Sequence, residues 1–156
     1  HFAARHDPLA AALEAGTLWR NFQGYTVRST PDTVAFGVTA ISDLAGSFAQ
    51  NVRTLPRYHD TLEAGRIPTV RGMTSTPDDL RRRALITELM CTLRLDLGDE
   101  WHAERLALQP MVADGLVAFD GDTLIVTPPG RIFLRNVAMV FDAHLGSSTA
   151  QFSRTV

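Results

Sequence analysis

Apolar residues follow two habits along this chain, spaced three and four apart in some stretches and bunched in short runs in others. Leu80, Ala84, Leu85, Leu89 and Met90 recur at helical spacing behind Thr76-Pro77-Asp78-Asp79. That opening supplies a hydroxyl cap, a first-turn proline and two acids at the positive end of the helix dipole, and it predicts a helix through about Thr92. Residues 104 to 113 read as a second helix, with Pro110 near an end or at a kink. Val117-Ala118-Phe119 and Leu124-Ile125-Val126 then flank Asp120-Gly121-Asp122-Thr123, the signature of a hairpin turned on Asp-Gly. Ile132, Phe133, Val137, Val140 and Phe141 are the inward candidates of a last helix running from Thr127-Pro128-Pro129 to about Leu145.

The front of the chain patterns differently. Asp7-Pro8 and Gly16 bracket a short helix over residues 8 to 15, with Leu9 and Leu13 inward. Residues 17 to 27 and Val34 to Ile41 read as strands, the second interrupted by Gly37. Apolar residues on both faces suit a buried parallel strand, where a glycine marks close approach of a ligand or another backbone. Thr54 can cap a helix ending at Ala64-Gly65, and Arg66 to Ser75, with Pro68 and Gly72, reads as a connection. The expected fold class is α+β. Residues 1–48 are the terminal αβ elements of a sheet or barrel, 49–75 a connecting helix and linker, and 76–156 a small winged-helix-like domain with a β-hairpin.

Composition narrows the chemistry. Acidic and basic residues nearly balance at a net charge of −2, which leaves no footprint for nucleic acid or an anionic membrane. No apolar run approaches the roughly 20 residues a spanning helix needs, and no secretion signal opens the chain, so a cytoplasmic location is expected. The single cysteine, Cys91, can neither hold an iron–sulfur cluster nor form an internal disulfide, and reads as a small buried hydrophobe. Arg81, Arg82 and Arg83 read as a solvated face neutralised by the acids beside them. The abrupt opening at His1-Phe2-Ala3-Ala4 suggests a segment whose larger front portion is missing.

Two words carry candidate site chemistry: Arg20-Asn21-Phe22-Gln23-Gly24-Tyr25-Thr26 and Gly37-Val38-Thr39-Ala40-Ile41-Ser42. An amide beside an aromatic offers apolar cover together with a group that both donates and accepts. Taken alone, Phe22 and Tyr25 also fit ordinary core packing. These words, followed by Gln50-Asn51, Tyr58, Arg71-Gly72, Arg82-Arg83, Leu93-Arg94-Leu95-Asp96, Asp114-Gly115-Leu116-Val117, Gly130-Arg131, Arg135-Asn136, Phe141-Asp142 and Gln151-Phe152-Ser153-Arg154, resemble the C-terminal portion of the oxygen-independent coproporphyrinogen III oxidases. The likeness spans essentially the whole chain.

The resemblance implies a parent enzyme that binds a [4Fe–4S] cluster and S-adenosylmethionine. By adenosyl-radical chemistry it converts two propionates of coproporphyrinogen III to vinyls, giving protoporphyrinogen IX. It also implies that Phe22, Gln23 and Ile41 lie at the cofactor and substrate site, with Ile41 packing against S-adenosylmethionine, and that the partner of this segment is the N-terminal barrel, left incomplete and closed by the 76–156 unit. No catalytic residue and no metal ligand fall in the segment, so by itself it is expected to be inactive and to bind no cluster. Two departures stand out: Trp19 where the family often has His, and a shortened stretch between Asp96 and Asp114. The rivals are a related radical S-adenosylmethionine haem chaperone, which generally lacks the Asn-Phe-Gln-Gly-Tyr word, a winged-helix nucleic-acid module, and a scaffold that only folds and docks.

Overall fold

A computed structural model describes residues 3–21 and 23–145. The helix and strand order is α1 (Pro8–Glu14), β1 (Trp19–Asn21), β2 (Gly24–Thr26), β3 (Ile41–Leu44), β4 (Ser47–Asn51), α2 (Leu55–Glu63), β5 (Thr69–Thr74), α3 (Pro77–Thr92), β6 (Arg94–Asp96), α4 (His102–Ala107), α5 (Gln109–Ala113), β7 (Val117–Asp120), β8 (Thr123–Val126), a 3-10 turn over Pro129–Phe133, and α6 (Leu134–Met139). Three small sheets result, β1-β2, β3-β4-β5 and β6-β8-β7, and every pairing among the described strands is antiparallel. The chain is therefore mixed helix and sheet, and none of its described helices is long and apolar enough to cross a membrane.

α3 forms where its start signals put it. Thr76 Oγ1 accepts from the Asp79 amide at 3.2 Å, while the Thr76 amide donates to Asp79 Oδ2 at 2.8 Å, so two N-terminal amides are satisfied reciprocally. The inner face of α3 carries Leu89 and Met90 into the main core, where they meet Leu95, Leu108, Val117, Leu124, Val137 and Phe141. Leu80 and Ala84, nearer the helix start, are exposed instead. Pro110 sits in the first turn of α5 and divides the expected second helix into α4 and α5, with Leu108 fully buried at the joint. The hairpin β7-β8 turns on Gly121 as its Asp-Gly signal requires, and β6 joins its far side. Gly130 allows the following turn to lie against β7, because a Cβ there would come within 1.8 Å of the Leu116 carbonyl oxygen. The last helix is shorter than expected and opens as a 3-10 turn, so Ile132 is exposed and Phe133 partly so, while Val137 and Phe141 are buried.

Three expectations for the front of the chain change. The strand expected over residues 17–27 is a hairpin: Asn21 pairs with Gly24, and Asn21 Oδ1 accepts from the amides of Gln23 at 2.9 Å and Gly24 at 3.2 Å. The run Val34 to Ile41 is not a buried parallel strand, because Gly37 and Thr39 take positive φ and the extended structure begins only at Ile41. Gly37 has open space around it, so conformation rather than close approach explains the glycine. The expected connection over residues 66–75 contains β5, all six of whose residues are exposed. Gly72 is needed there, since a Cβ would meet the Phe48 carbonyl oxygen at 2.8 Å. Residue 48 lies inside β4, the central strand of its sheet.

Candidate functional site

The hairpin β1-β2 and the loop ahead of β3 face one another across a cleft of about 510 Å³. Asn21 and Gln23 form one rim, and Val34, Phe36, Thr39 and Ile41 line the other. The loop is irregular, yet its backbone is tied down by side chains. Ser42 Oγ accepts from the Ala35 amide at 3.1 Å, Tyr58 Oη accepts from the Gly37 amide at 3.0 Å, and Asn51 Nδ2 donates to the Gly37 carbonyl at 3.0 Å. The Thr39 amide donates to the Val52 carbonyl, and Gln50 Nε2 to the Thr39 carbonyl. A loop held at so many points presents its apolar side chains in a fixed arrangement. Phe36 is 86% exposed, and Ile41 is half-buried.

Gln23 and Ile41, both expected at a ligand site, thus line the same cleft, with the exposed Gln23 amide across from a wall of aliphatic and aromatic carbon. Phe22 lies outside the described residues, as does the Gln151-Phe152-Ser153-Arg154 word. Tyr25, one residue beyond Gly24, points the other way. It packs against the main core and donates its hydroxyl to the Met90 carbonyl at 3.2 Å, and its burial raises the phenol pKa against the lowering effect of nearby Arg20.

A second cavity, of about 440 Å³, adjoins the first and shares Asn21 and Asp43 with it. Its walls include Arg20, Arg82 and Arg83, together with Phe48, Ile86 and Phe141. Here the solvated-face reading of the arginine band is corrected. Arg82 is only 22% exposed; its Nε donates to Asp78 at 2.8 Å, and its Nη1 donates to Glu104 at 2.9 Å and to the Phe141 carbonyl at 3.2 Å. These bonds, Asp78 first and then Glu104, hold its pKa above the ordinary value. Arg83 forks onto the buried Asp43, with Nη1 to Oδ1 at 3.0 Å and a second, shorter contact from Nη2 to Oδ2. It also lies over the Phe48 ring. Only Arg81 remains as exposed as expected. A helix opened by acids and followed by three arginines folds its middle and last guanidinium inward, because α4 and β3 bring carboxylates to meet them.

Sequence reasoning missed Arg20, Asp43 and Arg83 as cleft residues. One signal was present: in Ile41-Ser42-Asp43-Leu44 the acid shares the parity of the apolar Ile41, and an acid on the inward side of a strand needs a cation. Nothing in the linear pattern says that Arg83 supplies it from 40 residues away.

Among the described residues no group of His, Cys, Asp and Glu could hold a metal ion. Cys91 is 4% exposed in the core and burial pushes its thiol pKa up, so it is a protonated packing residue. A lone buried thiol does not fit a four-iron cluster, whose ligands are several accessible thiolates.

No family model matches the chain. It is 41% identical over its whole length to an oxygen-independent coproporphyrinogen III oxidase of Synechocystis, covering 37% of that protein. A protein of the same name from Thermostichus vulcanus is 42% identical, again over the whole chain, with 52% of its length covered. Among solved structures, coproporphyrinogen III oxidase from Escherichia coli, a radical SAM enzyme, superposes with a TM-score of 0.84 at 39% identity, over 92% of this chain and 36% of that one. The chain therefore spans about a third to a half of the length of the curated relatives it matches.

Proposed function

We propose, from the premise that this chain is homologous along its whole length to the C-terminal portion of the oxygen-independent coproporphyrinogen III oxidases, that it forms the closing wall of such an enzyme's reaction chamber. The parent activity in this reading is the oxidative decarboxylation of two propionates of coproporphyrinogen III to vinyl groups, in the cytoplasm, giving protoporphyrinogen IX. S-adenosylmethionine, when bound, supplies the adenosyl group through which hydrogen is removed from the propionates. The chain's own residues bind and enclose. Ile41 covers one face of a flat ring, and the Gln23 amide donates to and accepts from its polar edge. Phe22, between Asn21 and Gln23 in sequence, belongs to the same set. The cluster ligands come from the rest of the parent, an N-terminal barrel, since this chain has one cysteine and that one is buried.

The observation that supports this reading most is the sharing of one cleft by Gln23 and Ile41, which lie 18 positions apart in the chain. In the full-length enzyme, Ile41→Asp is expected to weaken S-adenosylmethionine binding about tenfold or more, the worth of placing a charge against an apolar ligand face. Cluster absorbance should stay at the wild-type level. Unchanged affinity in an equilibrium dialysis assay removes Ile41 from the site. The 156-residue chain alone is expected to show neither turnover nor cluster absorbance.

A second reading has one observation in its favour. The order α3-β6-α4-α5-β7-β8, with β7-β8 as a hairpin, is that of a winged-helix unit, whose second short helix can enter a DNA groove. The charges disfavour it. α5 reads Gln-Pro-Met-Val-Ala without a cation, Arg105 of α4 is paired with Asp122 at 2.9 Å, and Arg82 and Arg83 are tied to carboxylates. The unit fits better as a lid docked on protein. Duplex binding by residues 76–156 with a steep salt dependence would reverse that choice. The Asn-Phe-Gln-Gly-Tyr word, in turn, favours the oxidase over the related haem chaperones.

A further inference from the structure

In the cavity that adjoins the Gln23–Ile41 cleft, the three arginines are not alike. Arg82 is satisfied by Asp78, Glu104 and a backbone carbonyl, and Arg83 by Asp43. Arg20 makes no ion pair among the described residues, and its Nε is buried with no hydrogen-bond partner among them. The guanidinium lies 5.7 Å from the centre of the Tyr25 ring and hydrogen-bonds to Tyr25, whose hydroxyl in turn donates to the Met90 carbonyl, so among the described residues it is the Nε of Arg20 that is left over. A buried N–H on a permanently charged group is costly to leave without an acceptor, and native folds rarely do so unless something outside the fold completes the bond. Arg20 lines the 440 Å³ cavity, and Asn21, its neighbour in β1, lines both that cavity and the cleft.

We infer that Arg20 is a carboxylate-recognition residue, receiving a carboxylate of the bound ligand in the 440 Å³ cavity while the rest of that ligand occupies the cleft beyond Asn21 and Asp43. A planar guanidinium pairs a carboxylate through two parallel N–H bonds, a geometry lysine cannot reproduce. The cavity is of ordinary size for a small-molecule subsite, and Phe48, Ile86 and Phe141 give it apolar walls suited to the carbon chain that carries the acid. The inference rests on the proposed oxidase reading, in which two sources of carboxylate exist: the propionates of the tetrapyrrole and the amino-acid end of S-adenosylmethionine.

The test uses the full-length, cluster-loaded enzyme and two probes, coproporphyrin III followed by fluorescence quenching and S-adenosylmethionine followed by equilibrium dialysis. Arg20→Gln is expected to weaken one of the two by tenfold or more at unchanged cluster absorbance, and Arg20→Lys to restore only part of the loss. Loss confined to coproporphyrin III assigns the propionate; loss confined to S-adenosylmethionine assigns the amino-acid carboxylate. The tetramethyl ester of coproporphyrin III gives a second measurement that needs no variant: if the propionate is the partner, the wild-type enzyme binds the ester tenfold or more weakly than the acid. Arg66→Gln, at an exposed residue that lines neither cavity, should bind both probes as the wild type does. Wild-type affinity of Arg20→Gln for both probes overturns the inference and leaves the oxidase reading intact. Failure of the wild-type enzyme to bind either probe overturns the oxidase reading, and this inference with it. If Arg20→Gln does not fold, Arg20→Lys with wild-type affinity for both probes, together with equal binding of acid and ester, overturns the inference.

Discussion

Behind Thr76 the chain closes on a core in which Leu89, Leu95, Leu108, Val117, Leu124, Val137 and Phe141 are all but inaccessible, whereas ahead of it the buried apolar side chains among the described residues are Ala12, Val52 and Pro68, beside the polar Asp43 and Asn51. Large apolar residues that stay exposed, such as Val34, Phe36 and Ile67, are gathered mostly in the front part. The two regions teach different lessons about what holds a fold. The rear is stabilised by carbon removed from water, at roughly 25 cal/mol for each Å². The front is held by side chains bonding to backbone, at Asn21, Ser42, Asn51 and Tyr58, and by attachments to α3 through Tyr25 and Arg83. Such bonds contribute only about 1 kcal/mol each, so the front depends on its neighbours in a way the rear does not.

Matched phenylalanines give the largest expected contrast. Phe141→Ala, from complete burial, is expected to reduce the free energy of unfolding by about 3–5 kcal/mol in a urea titration. Phe36→Ala is expected to change it by less than about 0.5 kcal/mol, because that ring already faces water. Equal losses at the two sites would erase the distinction between the regions. The attachment between them comes next. Arg83→Ala strands the buried Asp43 carboxylate and is expected to cost about 2 kcal/mol, less than a fully enclosed pair because Arg83 is 37% exposed. Asp43→Asn should make Arg83→Ala far less damaging, and a double-mutant cycle showing no coupling would mean that the fork does not join the two regions.

The smallest effect is a pH dependence at the far end of the rear region. His144 Nε2 lies 2.7 Å from Asp79 Oδ1, and that hydrogen bond raises the histidine pKa above 6.5. Its contribution is therefore complete below the unfolded histidine value and is lost as pH rises through the higher folded value. Asp79 is held down to about 2, chiefly by the Thr76 backbone amide and then by His144, so its contribution is present above the ordinary carboxylate range and is lost as pH falls through about 2. An NMR titration of the His144 ring should give a value above that of a free histidine. His144→Gln should flatten the decline in stability on the alkaline side of neutrality, and an unaltered profile would show that the pair does not contribute.

The contrast between regions also decides what the sequence revealed. α3, the β7-β8 hairpin and the burial of Val137 and Phe141 follow from caps, an Asp-Gly turn and periodicity, all local signals in a region where local preference and the core agree. In the front, periodicity misled because burial is not what organises it. The apolar run at Val34 is a loop laced by Asn51 and Tyr58, and the stretch containing Pro68 and Gly72 becomes β5 because β4 offers it a partner. At the site, Gln23 and Ile41 entered through family resemblance, and no rule of spacing would have put them across one cleft. Arg20 was legible only as a letter in a motif, since its distinguishing property is a buried N–H that finds no acceptor among the described residues.

β5 has one further consequence, for whoever purifies this chain. It is paired to β4 on one side only, and its other edge has no strand beside it among the described residues. Its one charged side chain, Arg71, is turned back toward Gln50 at 2.8 Å rather than standing guard over the edge, and Val70 and Met73 are close to half exposed. The amides and carbonyls that alternate residues of this six-residue strand turn outward are a template on which a second molecule can lay its own. Concentrating the isolated polypeptide thus invites edge-to-edge stacking, and dilute storage or a cover for that margin is the practical remedy.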